Sequence, residues 1–175
     1  MLKTLNLYNI KFISQRGVAA VEFAIIALLL FTLLFGILEF GRLLYVFNSV
    51  QEVTRRTARE AVVRWAVENV TEEDEIKRLA LFGATTNLPA GAEITPANIN
   101  IEYLNGNQVK LTTFPDSPSD NITECLSGPT GCIAYVRVSI TGATYAPMVS
   151  LFPFLSIPIP ASTVIMPAES MGYSG

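Results

Sequence analysis

The sequence contains no histidine. That absence removes imidazole general bases, Ser-His-Asp triads and histidine-ligated metal sites. Charge is also scarce. Lys and Arg number 12, Asp and Glu 15, and together they are 15% of 175 residues, for a net charge of −3. Such a balance offers no electrostatic case for binding nucleic acid. Two cysteines allow one disulfide and exclude a disulfide-dense scaffold. There is no Gly-x-Ser-x-Gly elbow, no phosphate-binding loop and no zinc-ligand spacing. No catalytic residue, metal site or cofactor is expected. Apolar residues, by contrast, are half of the chain, and the mean hydropathy is +0.41.

Much of that hydropathy sits near the N-terminus. Residues 1–17 carry Lys3, Lys11 and Arg16 and no acid. The next 21 residues, Val18 to Leu38, hold a single charge, Glu22. An apolar helix of about 20 residues spans a bilayer core, so 18–38 is a transmembrane candidate. The run is longer than the apolar region of a removable secretory signal, and no small-x-small cleavage site or cysteine follows it. Three Lys/Arg precede the run, and Arg42, Arg55, Arg56 and Arg59 follow it closely, so a charge count leaves the orientation open. The distal cysteine pair favours an oxidising compartment for the rest of the chain. An acid inside the bilayer is costly, by about 2.5–3.5 kcal/mol at the centre and less toward the ends. Taken alone, Glu22 also reads as a helix-start acid near the interface.

The basic leader ending in Gly17, then Val18, Glu22 and a long apolar helix, resembles the class III signal of type IV pilins. The stretch from Arg16 to Tyr45 is similar to the TadE-like family of the tight-adherence (Flp) pilus system. The matching residues are Gly17, Ala19 and Ala20, then Glu22-Phe23-Ala24, and then Gly36-Ile37-Leu38-Glu39-Phe40-Gly41-Arg42. The resemblance implies cleavage between Gly17 and Val18 by a prepilin peptidase on the cytoplasmic face. It implies a retained helix that packs against other pilin subunits, with an inner-membrane assembly platform as partner and lipid as the surroundings before assembly. The implied location is the bacterial inner membrane with a periplasmic domain, then the cell surface. The implied function is a minor pilin or pseudopilin supporting adhesion and biofilm formation, since the major subunits of that system are typically much shorter. Cleavage would create an amine on Val18. Paired with Glu22 of a neighbour at about 4 Å and an effective dielectric near 20, it would gain about 4 kcal/mol, comparable to the cost of immersing the acid.

The helical pattern continues past Leu38. Leu43, Val46, Phe47, Val50, Val53, Thr57, Ala61 and Trp65 recur at three- and four-residue spacing, which predicts one helix from Val18 to Val67. The opposite face holds Arg42, Ser49, Glu52, Arg56, Glu60 and Arg64, with Glu52–Arg56 and Glu60–Arg64 as i,i+4 pairs. Thr71 to Asp74 reads as a capping box opening a second helix, Glu72 to Phe82, that ends at Gly83. From Asn98 the period changes to two. Asn105-Gly106 is a hairpin signal, with 109–114 as the returning strand. Residues 115–132 are turn-rich, 133–145 is the strongest strand, and 161–166 is a last strand. The proline-rich stretch 146–160 reads as a loop packed on the core, with an exposed patch as the alternative. The triplet at Asn121 matches a glycosylation site, but such triplets are frequent by chance. Cys125 and Cys132 are close enough in sequence, across two glycines and a proline, to form a disulfide outside the cytoplasm; buried or unused thiols are the alternative.

The expected fold is α+β and pilin-like: a long N-terminal transmembrane and amphipathic helix, a short helix, and a small antiparallel sheet packed on the first helix's distal half. The division is 1–17 leader, 18–38 transmembrane, 39–67 amphipathic helix and 68–175 globular domain. A signal-anchored periplasmic binding or scaffold protein, for which Gly17 and Glu22 are incidental, is the alternative function. A membrane-tethered enzyme using Asp, Glu or Ser is the third, disfavoured by the missing motifs.

Overall fold

The computed structural model describes residues 16–65, 67, 69–84, 86–91, 93–168 and 171. The leader expected at 1–17 therefore lies outside the described residues except for Arg16 and Gly17. The chain divides into two compact units, 1–38 and 39–175.

Helix α1 runs Arg16–Val63. Between Val18 and Leu38 its side chains are apolar except for Glu22 and Thr32, and no part of its most apolar 18-residue window is buried by protein. This helix is long and apolar enough to cross a membrane. Thr32 is accommodated there because its hydroxyl donates to the Leu28 carbonyl at 2.7 Å.

The second unit is built on the rest of α1. Leu43, Val46, Val50, Val53, Ala58, Ala61 and Val62 are buried. The buried hydroxyls of Thr54 and Thr57 are satisfied by the carbonyls of Val50 and Val53. The helix ends at Val63, four residues before the expected Val67. Ser49, expected on the solvated face, is buried, and Arg42 is partly so. The reason is tertiary: the stripe against the core is wider than a three-four repeat of apolar residues marks. The expected ion pairs Glu52–Arg56 and Glu60–Arg64 are formed, at 2.7 and 3.2 Å.

Helix α2 runs Val70–Ala80. Its cap is Asn69 and not Thr71: the Asn69 Oδ1 accepts from the Glu72 amide at 3.3 Å. Glu72 and Glu73 lie in its first turn and Lys77 and Arg78 in its last, as the helix dipole favours. Gly83, with φ of 82°, closes it by donating its amide to the Arg78 carbonyl at 2.9 Å.

Three strands form the main sheet: β1 (Ile99–Leu104), β2 (Tyr135–Ile140) and β5 (Ser162–Pro167), in the order β1-β2-β5, all antiparallel. Val136, Val138 and Ile140 of β2 point into the core shared with α1. On the other face Glu102 meets Arg137 at 3.4 Å and Lys110 at 3.1 Å. These two cations draw the Glu102 carboxyl below its ordinary range, the Lys110 hydrogen bond most. The rest of the expected 133–145 strand becomes β3 (Thr144–Tyr145), which pairs with β4 (Ile157–Pro158) in a separate two-stranded sheet. The break falls at Gly142, whose φ is 74°.

The chain does turn at Asn105-Gly106, but the return is short: the Asn105 amide donates to the Val109 carbonyl at 2.9 Å and the Leu111 amide to the Tyr103 carbonyl at 3.0 Å, and no full strand over 109–114 follows. Residues 109–114 contribute one bridge, Leu104 to Lys110, and the neighbour of β1 is β2. Asn105 also closes the turn with its side chain: its Oδ1 accepts from the amides of Asn107 and Val109, both at 3.0 Å. Gly106 serves a close approach. Its amide donates to the Pro129 carbonyl at 2.7 Å, and a Cβ there would stand 2.7 Å from the Pro129 Cβ.

The turn-rich stretch contains a helix, α3 (Pro118–Ser127). Ser117 caps it, accepting from the Asp120 amide at 3.2 Å, Pro118 occupies its first turn, and Gly128 follows it. Asn121 is buried. Its Oδ1 accepts from the Ile133 amide at 2.7 Å and its Nδ2 donates to the Ile133 carbonyl at 3.2 Å. That pairing leaves no room for a glycan in the folded chain. Cys125, in the last turn of α3, is bonded to Cys132. Together the disulfide and Asn121 tie α3 to the residues entering β2. Replacing both cysteines by serine is expected to lower stability by about 2–3 kcal/mol, the chain-entropy value for so short a loop. Urea titration of the double variant against the oxidised parent measures it.

Candidate functional site

The residues singled out by sequence fall into two groups. Gly17, Val18, Glu22 and Phe23 lie on the exposed apolar part of α1, and Gly36 is half-exposed there. A Cβ at Gly17 or Gly41 would meet nothing within 4 Å, so no packing within this chain requires a glycine at either position. Glu22 has solvent-side exposure and is the only ionisable side chain between Val18 and Leu38.

Glu39 and Arg42, one helical turn apart on α1, are turned into the second unit. Glu39 is 3% exposed. The Tyr145 hydroxyl donates to its Oε1 at 2.5 Å and the Met148 amide at 3.1 Å, while Arg42 Nε stands 3.6 Å away. Arg42 Nη2 donates to Glu93 Oε1 at 2.8 Å and to the Ala146 carbonyl, and Nη1 to the Ala90 carbonyl at 3.4 Å. The Ala146 amide returns to Glu93 Oε1 at 3.2 Å. The guanidinium lies over the Tyr145 ring, 4.5 Å from its centroid. Two acids, one cation and one phenol thus clamp α1, the 89–93 segment and the start of the 146–156 loop. A groove of about 660 Å³ runs over this clamp, bounded by Arg42, Leu88, Pro89, Glu93, Pro147 and Met148.

The expectation that Arg42 lies on a solvated face is corrected by this network. Its partners, Glu93 and Ala146, are 51 and 104 residues away in sequence, and no local spacing marks them. Tyr145 and Met148 were equally unmarked. Glu39 Oε1 and Glu93 Oε1 are committed to a guanidinium, a phenol and backbone amides, while Glu93 Oε2 is buried without a hydrogen-bond partner. Among the described residues no group of three or more His, Cys, Asp or Glu is placed to hold a metal ion.

The electrostatics follow. Burial pushes the Glu39 carboxyl up, but the Tyr145 hydroxyl, the Met148 amide and Arg42 outweigh it and leave it below its ordinary 4.5. Burial and the bond to Glu39 push the Tyr145 phenol up to about 12. Because the folded pKa of Glu39 is lower than the unfolded one, its contribution is whole above pH 4.5 and is lost as pH falls from there through the folded value. Glu39→Gln should therefore lose less stability than the parent between pH 7 and pH about 3.5. Urea midpoints at the two pH values give that difference, and equal losses would contradict the assignment.

Comparison with curated proteins and with solved structures finds no match. Residues 17–59, about a quarter of the chain, match the family model described as TadE-like protein, and that match ties the chain to the tight-adherence pilus system.

Proposed function

We propose that this chain is a minor pilin or pseudopilin that packs into, or initiates, a tight-adherence pilus and supports surface adhesion and biofilm formation. Its role is structural and not catalytic. The observation that carries the reading is an outward-facing apolar helix with one charge, Glu22, five residues beyond Gly17, inside the segment that matches the TadE-like family. In this reading a prepilin peptidase cuts between Gly17 and Val18. The retained helix stays in lipid at the inner membrane, with the second unit in the periplasm, until an assembly platform passes it to neighbouring pilin helices. Lipid and neighbouring helices both suit a helix whose apolar side chains find no cover in their own chain.

The mature N-terminus tests it. Mass spectrometry of protein taken from membranes or surface filaments should find Val18 first. Loss of Lys3, Lys11 and Arg16, with no acid, moves the net charge from −3 to −6. An intact Met1 in exported protein would favour the signal-anchored scaffold instead and overturn the pilin reading.

A further inference from the structure

From Val138 to Ala168 the chain has no Asp, Glu, Lys or Arg. Within that stretch the loop 146–156 presents large apolar side chains to the outside: Met148 is 79% exposed, Leu151 53% and Phe154 73%. The loop is firmly held. Arg42 and Glu93 bind Ala146, Glu39 binds the Met148 amide, and Phe152 is buried and Leu155 packs on the core. The Phe152 and Phe154 rings meet edge to face at 6.1 Å. A pinned backbone therefore turns two apolar side chains in and three out. This revises the expectation that the apolar residues of 146–160 are packed on the core.

Position decides what covers the outward ones. Glu39 is covalently the next residue after Leu38, where the apolar run stops. The bond from Met148 to Glu39 keeps the loop beside that point. Phe40 and Leu44, 55% and 46% exposed, carry the apolar surface past the end of the run. We propose that the 146–156 loop is a membrane-contact element, with Met148, Leu151 and Phe154 seated in the headgroup–acyl boundary of the bilayer that residues 18–38 cross. An uncharged apolar loop at that depth gains by burial in lipid and leaves no charge to desolvate.

The proposal rests on 18–38 spanning the bilayer, and the test separates the two. The full chain, with its one tryptophan removed by Trp65→Phe, is reconstituted into phosphatidylcholine vesicles. A single indole is then introduced by Phe154→Trp, by Leu151→Trp or, within the span, by Phe31→Trp. Lipids brominated near the headgroup end of the acyl chain should quench the Phe154→Trp and Leu151→Trp proteins by about two-fold or more, and chain-end bromines less. Phe31→Trp should be quenched by deep bromines. Water-like emission from both loop variants, with Phe31→Trp quenched, overturns the loop proposal alone. Blue-shifted but unquenched loop emission also overturns it and points to a second protein copy. An unquenched Phe31→Trp removes the span, and the proposal with it.

Discussion

An Arg42→Ala variant is expected to lose about 3–5 kcal/mol of folding stability, the usual cost of removing one partner from a buried ion pair. The guanidinium is 14% exposed, and the Glu39 and Glu93 carboxylates beside it are 3% and 7% exposed. Truncation would leave two carboxylates facing each other across a desolvated gap and two carbonyls, of Ala90 and Ala146, without their donor. Arg42→Lys should recover part of the loss. It restores charge, but a single ammonium cannot reach all these acceptors while stacking on Tyr145. Combining Arg42→Met with Glu93→Leu should recover more, because it removes both buried charges of that pair. The fluorescence of the half-buried Trp65, followed through a urea titration of detergent-solubilised protein, measures all three. A loss below about 1 kcal/mol for Arg42→Ala would place this network among ordinary surface pairs and refute its role as the clamp.

Glu22→Gln is expected to leave membrane insertion intact and to cut filament incorporation sharply. Removing a charge from an apolar segment does not hinder insertion. The lost partner would be the new amine of a neighbouring subunit. A pair energy of about 4 kcal/mol corresponds to roughly a thousand-fold in each such contact. Incorporation is read by immunoblotting sheared surface filaments against membranes, with processing scored by the mobility of the mature chain. Normal processing with depleted filaments is the expected pattern. A cleaved variant entering filaments at parental levels would show that Glu22 has no assembly role.

Local physics made much of the fold legible. The apolar run and its three-four continuation marked α1, whose stripe from Leu43 to Ala61 is buried. Alternation marked β1 and β2, because a half-buried strand must repeat every second residue. Turn chemistry was incomplete in two places. Asn105-Gly106 turns the chain as its composition suggests, yet the return pairs only as far as Leu111, and Gly106 is small to admit Pro129. Ser117-Pro118 and Gly128 were cap signals for α3, hidden among residues that also form turns. The pairing of β2 with β5, and the division of 133–145 between two sheets, depend on contacts between residues a dozen or more apart in the chain, which no local period encodes.

By itself, then, the amino-acid order determined what each segment could do: which stretch suits a bilayer, where periods of 3.6 and 2 begin, and which motif residues precede and follow the apolar run. Only the tertiary structure decided which way Glu39 and Arg42 face. Their spacing puts them on one side of α1, but nothing local distinguishes a solvated side from one closed by Glu93, Tyr145 and the 146–156 loop. The physical reason is that a charged side chain is stable in either setting, in water or among enough opposite charges and donors. Which of the two it meets is set by chain segments far away in sequence.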